Sequence, residues 1–149
     1  MNSYSLHSLN SHPSVLDYIK SNHFGKHLNL NFSIIKPGHA LYECKVDKIH
    51  LATPHAAHGG FVSSILDSCM GVGALSIVCS SGKVVSTIEL KVSFFKTVQL
   101  DSHVIVKSNC LKRGNNILHM EASMYNDKEE LLAKSSGTFN SYPKQKAGY

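Results

Sequence analysis

The chain has 149 residues, 42% of them hydrophobic and 17% charged, which fits one ordinary globular domain and excludes a disordered or fibrous chain. Formal charge is +5, with ten histidines besides. The excess favours an anionic partner, but the basic residues stand singly and without clustered aromatics, so a nucleic-acid binder is not expected. The first ten residues carry neither a basic nor an apolar leader pattern, and the four cysteines (44, 69, 79, 110) show no C-x-x-C spacing. Cys69 and Cys79 on one helix would lie ~15 Å apart, too far for a disulfide. We expect reduced thiols and a cytoplasmic protein.

In chain order, Pro13 opens a helical pattern with Val15, Leu16, Ile19 and Phe24 as its apolar stripe and Gly25 as its stop, ending before residue 27. Two strands, near 28–36 and 40–48, flank the turn triplet Lys36-Pro37-Gly38. From Leu51 to Gly82 the single charged residue is Asp67. A helix in this stretch is apolar nearly all round, so it belongs in a core. Phe61–Cys79 is long enough to span a membrane, but a mid-span carboxylate costs ~2.5–3.5 kcal/mol and four serines dilute the segment, so no membrane partner is expected.

Beyond Gly82 the period becomes two. Ile88, Leu90, Val92 and Phe94 alternate with Thr87, Glu89, Lys91 and Ser93, similar alternation follows over 103–110 and 118–125, and a last strand lies near 131–139. Short polar connections make this a four-strand antiparallel meander with one apolar face. One greasy helix between a hairpin and a meander is the element that can cover that face, so the pattern predicts an α+β fold in which a sheet wraps a long helix. We expect one domain over 1–149, with an N-terminal helix region at 1–26 and a loose tail at 143–149.

The most informative run is His58-Gly59-Gly60-Phe61-Val62-Ser63-Ser64-Ile65-Leu66-Asp67. Amides in the first turn of a helix have no intrahelical partners, and the helix dipole makes them donors for a developing oxyanion. A carboxylate on an apolar helix is costly unless paired or functional, and burial raises its pKa as a general base requires. The bland alternative is a tight helix start with an aspartate on an exposed strip. Gly59 and Asp67 lie ~12 Å apart along a helix, too far for both to act on one bond from the same chain. If both act, two such helices lie side by side and the site forms at a dimer interface. Glu89, on the strand face expected for Thr87, is either a second acid or an ordinary surface residue. His50, His55 and His58 match no metal-ligand spacing, and no G-x-S-x-G elbow activates a serine.

His-Gly-Gly, then Asp67, Gly71 and Ser76, then Val85-Ser86-Thr87-Ile88-Glu89-Leu90 and Lys112-Arg113-Gly114, resembles the hotdog-fold acyl-CoA thioesterases, in particular the phenylacetate-pathway (PaaI-like) and 4-hydroxybenzoyl-CoA thioesterase group. The resemblance covers about 50–140. It implies a long helix in a curled antiparallel sheet, hydrolysis of a CoA thioester, no metal or organic cofactor, and a homodimer or a homotetramer of two dimers. By the same resemblance Asp67 activates water or attacks the thioester, the Gly59 amide polarises the carbonyl from the opposite subunit, Thr87 helps place the water or the acid, and His58 supports the carbonyl-binding turn. Substrate contacts carry over to Gly60, Phe61, Glu89, the strip from Phe94 through Phe95 and Lys96 to Gln99, and the strip Lys112, Arg113, Gly114, Asn115, with the basic residues meeting nucleotide phosphates. One departure is Ala52, where the family often has an Asn. The rival readings are a non-catalytic acyl-CoA-binding hotdog sensor and a hydratase; His58 with Asp67 suits the latter poorly.

Overall fold

The computed structural model describes residues 6–149. Three short helices, α1 (Leu6–Asn10), α2 (Pro13–Ser21) and α3 (His23–His27), precede the hairpin β1 (Asn31–Lys36) and β2 (His39–Lys45). The long helix α4 (Gly59–Val78) follows, then β3 (Lys83–Phe94), β4 (His103–Arg113), β5 (Ile117–Asn126) and β6 (Leu131–Pro143). All six strands form one antiparallel sheet in the order β1-β2-β4-β5-β6-β3.

Helix α4 touches every strand, and the sheet curls around it as the hydropathy pattern requires. Ile65, Leu66, Cys69, Met70, Val72 and Ala74 are almost wholly inaccessible. The alternation read from sequence over β4 and β5 holds, because Val104, Val106, Leu118, Met120, Ala122 and Met124 all face this helix and are buried. The span Gly59–Ser81 has the length and hydropathy to cross a membrane, yet two-thirds of its most apolar window (67%) is buried within the protomer. It is the core of the fold. All four cysteines are free. At the β1–β2 turn, Gly38 adopts φ +84°, the conformation a Pro-Gly type II turn needs at its third position.

Three expectations are corrected. The helix from Pro13 breaks at Asn22, whose side chain accepts the Gly25 N–H and starts α3, so Gly25 lies inside a helix that runs through His27. Leu16, Ile19 and Phe24 are exposed; the face turned inward carries Val15 and Tyr18. The last four strands are not a simple meander. Only β4-β5-β6 are sequential neighbours, while β3 pairs with β6 at the sheet's far edge. The chain therefore crosses between β3 and β4, and this crossover binds the segment before α4: Ala57 N–H donates to Val98 O and Leu100 N–H to His55 O, both at 2.9 Å.

The third correction concerns the faces of β3. A register shift between Thr87 and Glu89 sets Thr87 opposite Phe139 and Glu89 opposite Thr138. Phe139 is a core residue, whereas Thr138 is only partly buried and donates to Glu89 Oε2 at 3.5 Å. Glu89 therefore lies on the outer face, opposite to Thr87. An extra residue in one strand reverses the alternation on its far side. Because β3 is an edge strand, Ile88, Leu90 and Phe94 remain exposed despite their apolar character.

Candidate active site

Asp67 sits midway along α4, half-buried, and its Oδ1 accepts the Thr87 hydroxyl at 2.8 Å. Burial pushes the carboxyl's pKa up from its ordinary value, and the Thr87 hydrogen bond opposes this only in part. The two residues open into a cavity of about 370 Å³ bounded by α2, α3, α4, the start of β3 and the C-terminal segment. Tyr18 stands beside them. Its hydroxyl accepts the Asn22 Nδ2–H at 2.9 Å, lies near the Ser68 and Tyr42 hydroxyls, and is itself pushed up by burial.

At the other end of the same helix, His58 is the N-cap of α4. Its Nδ1 accepts the Gly60 N–H at 2.7 Å, which fixes the proton of the neutral ring on Nε2. The His58 N–H donates to His50 O at 2.7 Å, tying the cap to a buried histidine. One first-turn amide is thereby consumed. Among the described residues no acceptor takes the Gly59 N–H, and Gly59 is exposed. A side chain at Gly59 would meet nothing nearer than the Phe94 ring at 3.6 Å, so neither backbone conformation nor packing within the chain demands a glycine there. Gly59 lines a second cavity, of about 330 Å³, with Val62 and the strip from Phe94 to Val98.

The structure thus gathers the expected residues into two groups. Asp67 and Thr87 share one cavity; Gly59, Phe94, Phe95 and Lys96 share another. Phe61 joins neither, being buried and stacked on His50 with ring centroids 4.0 Å apart. Gly60 spends its amide on the cap, and Glu89 points away. Lys96 is paired with Glu130 at 2.6 Å. Lys112, Arg113, Gly114 and Asn115 are exposed and lie at the opposite end of the sheet from Lys96. The Asn116 carbonyl there accepts the Ser141 N–H at 2.7 Å, beside the start of β3. The 12 residues of β3 separate the two basic groups by ~36 Å of extended chain, so they cannot grip one phosphate group from the same protomer. Gly114 is a turn residue, because a Cβ there would lie 2.9 Å from the Ile117 carbonyl oxygen.

Sequence reading missed Tyr18, Asn22 and Ser68 near the carboxylate. The available signal was Val15, Tyr18 and Asn22 at i, i+3 and i+7, a helical stripe of mixed polarity hidden beside the more apolar one.

A long helix held in a curled six-stranded antiparallel sheet defines the hotdog-fold class. Residues 55–133, more than half of the chain, match the thioesterase superfamily, and the chain belongs to that family. It is 25% identical over 125 residues to an Archaeoglobus fulgidus protein named "Putative esterase", covering 83% of this chain and 79% of the relative. Among solved structures, the E. coli PaaI protein from the phenylacetic acid degradation operon superposes with a TM-score of 0.82 at 15% identity, over 93% of this chain and 96% of that one. A Streptococcus pneumoniae hypothetical thioesterase protein solved with coenzyme A gives 0.68 at 23% identity, over 76% and 90% of the two chains.

Proposed function

We propose that this protein is an acyl-CoA thioesterase that hydrolyses a CoA thioester to a carboxylic acid and free CoA at sites shared between two copies of the chain. The observation that carries this reading is the pairing of a half-buried, Thr87-bonded Asp67 with a vacant Gly59 amide on the same helix, ~12 Å away. A reacting carbonyl must lie ~3 Å from both its oxyanion donor and the attacking group. With α4 of a second copy alongside, the Gly59 amide of one chain faces Asp67 of the other. The unpaired edge of β3, with exposed Ile88, Leu90 and Phe94, supports such a neighbour.

In this mechanism the Asp67 carboxylate takes a proton from water as the water oxygen attacks the thioester carbon. The Thr87 hydroxyl fixes one carboxylate oxygen and leaves the other for the water. The Gly59 N–H, backed by the dipole of α4, holds the oxyanion; its collapse breaks the C–S bond and the thiolate leaves with the proton. The missing side chain at Gly59 gives the carbonyl room to approach. In this reading Lys96 from one chain and Lys112 and Arg113 from the other meet the nucleotide phosphates. The coenzyme A in the pneumococcal structure is in keeping with this substrate class. Four free thiols suit a reducing, cytoplasmic compartment.

Asp67→Asn preserves the shape of the site and removes the base. Thiol release from a panel of acyl-CoA esters should fall at least ~100-fold in kcat. Unchanged turnover in a folded variant, or tight acyl-CoA binding without hydrolysis by the wild type, would overturn the assignment.

A further inference from the structure

The cavity at Asp67 continues well past the carboxylate, and nothing in the hydrolytic step uses its far half. Along α4 its wall is built by Asp67, Gly71 and Leu75, one face of two helical turns and ~12 Å long. Three features mark what it admits. Among the described residues lining it, Asp67 has the sole charged side chain, with no Lys, Arg or His to meet an anion. The floor beyond the acid is apolar, formed by the buried Val72, Leu75, Val84 and Phe139. Finally, Gly71 stands in mid-helix, where glycine is unfavourable, although its backbone has no positive φ and an added Cβ would make only an ordinary 3.6 Å contact with Phe139. Folding does not require a glycine there; an open chamber does.

We propose that this space is the acyl chamber of the thioesterase proposed above, that Gly71 keeps it open one turn beyond Asp67, and that it selects uncharged acyl groups of medium length. The proposal rests on the hydrolase reading and deepens it. An acyl group ending in a carboxylate would lose its hydration without meeting a cation, and would lie in the same chamber as Asp67. Acetyl groups would leave the apolar floor unused, forgoing the transition-state binding that each added methylene provides.

The test compares kcat/KM for acetyl-, octanoyl- and succinyl-CoA in the wild type, Gly71→Ala and Gly71→Leu, with thermal melts on each. Octanoyl-CoA should exceed both other esters at least ~10-fold in the wild type. The octanoyl-to-acetyl ratio should drop partially in Gly71→Ala, which should also melt higher, and at least ~10-fold in Gly71→Leu. A ratio unmoved by Gly71→Ala and by any folded Gly71→Leu, or succinyl-CoA turned over as well as octanoyl-CoA, would overturn the chamber while leaving the hydrolase reading intact. If the wild type turns over no ester, the hydrolase reading fails instead, and calorimetric titration with octanamide decides the chamber separately. Saturable binding weakened by Gly71→Ala supports it, and absence of binding refutes it.

Discussion

Asp67 is placed against the stability of its own fold. Burial raises its pKa, so the ionised form is the disfavoured one in the folded protein. A carboxyl whose folded pKa exceeds its unfolded value adds stability only while protonated, and that contribution is lost as pH rises through the folded pKa. At neutral pH the charged Asp67 is therefore a burden that Asp67→Asn removes, while the amide oxygen still accepts the Thr87 hydroxyl. We expect Asp67→Asn to melt above the wild type at pH 7–8, with the gap closing as the buffer is acidified below the folded pKa; scanning calorimetry over pH measures it. The same shift predicts that kcat/KM of the wild type declines with acid at a pH above the ~3.9 of an exposed aspartate. A wild type melting higher at neutral pH would mean the carboxylate is stabilised, not strained, by its surroundings.

For α4, the decisive local choice is the cap. His58 accepts the Gly60 N–H and leaves that of Gly59 vacant, so the cap consumes one first-turn amide and leaves another for the oxyanion of the proposed mechanism. His58→Ala should destabilise the protein by about 1 kcal/mol in urea denaturation, whereas His58→Asn, a strong cap, should recover most of it. Gly59→Pro acts differently. Position N1 tolerates proline, and His58 already has the extended backbone (ψ 138°) that a residue before proline prefers. The substitution removes one N–H with little change to the helix, so kcat should fall while the melting temperature holds; a parallel loss of both would show that Gly59 matters to folding. On β3, the register shift after Thr87 aims its hydroxyl at α4 and sends Glu89 outward, a division that strict alternation could not disclose.

For the molecule as a whole, the proposed mechanism makes the two cavities and the two basic strips of one protomer each half of a site. Mixing Gly59→Pro subunits with Asp67→Ala subunits should therefore restore part of the lost thioesterase activity, since one of the two shared sites in a mixed pair has both groups intact. Light scattering of the same samples should show at least a dimer. Absence of rescue between subunits that demonstrably exchange would place the complete site within one chain and refute the shared arrangement.

Hydropathy alone determined that one long buried helix would be wrapped by antiparallel strands, because an all-apolar helix and one-sided strands have few other ways to leave water. Motif spacing likewise singled out Gly59 and Asp67, since unpaired amides and lone carboxylates are conspicuous in such a segment, while Thr87 came only with the family resemblance. Long-range pairing decided the rest. Whether β3 joins β4 or β6, which way Glu89 turns after a one-residue shift, and that Tyr18 and Asn22 come to rest beside a carboxylate some fifty residues away all depend on contacts that local pattern does not encode. A strand's period specifies two faces, but the partner across the ladder determines which face meets the helix.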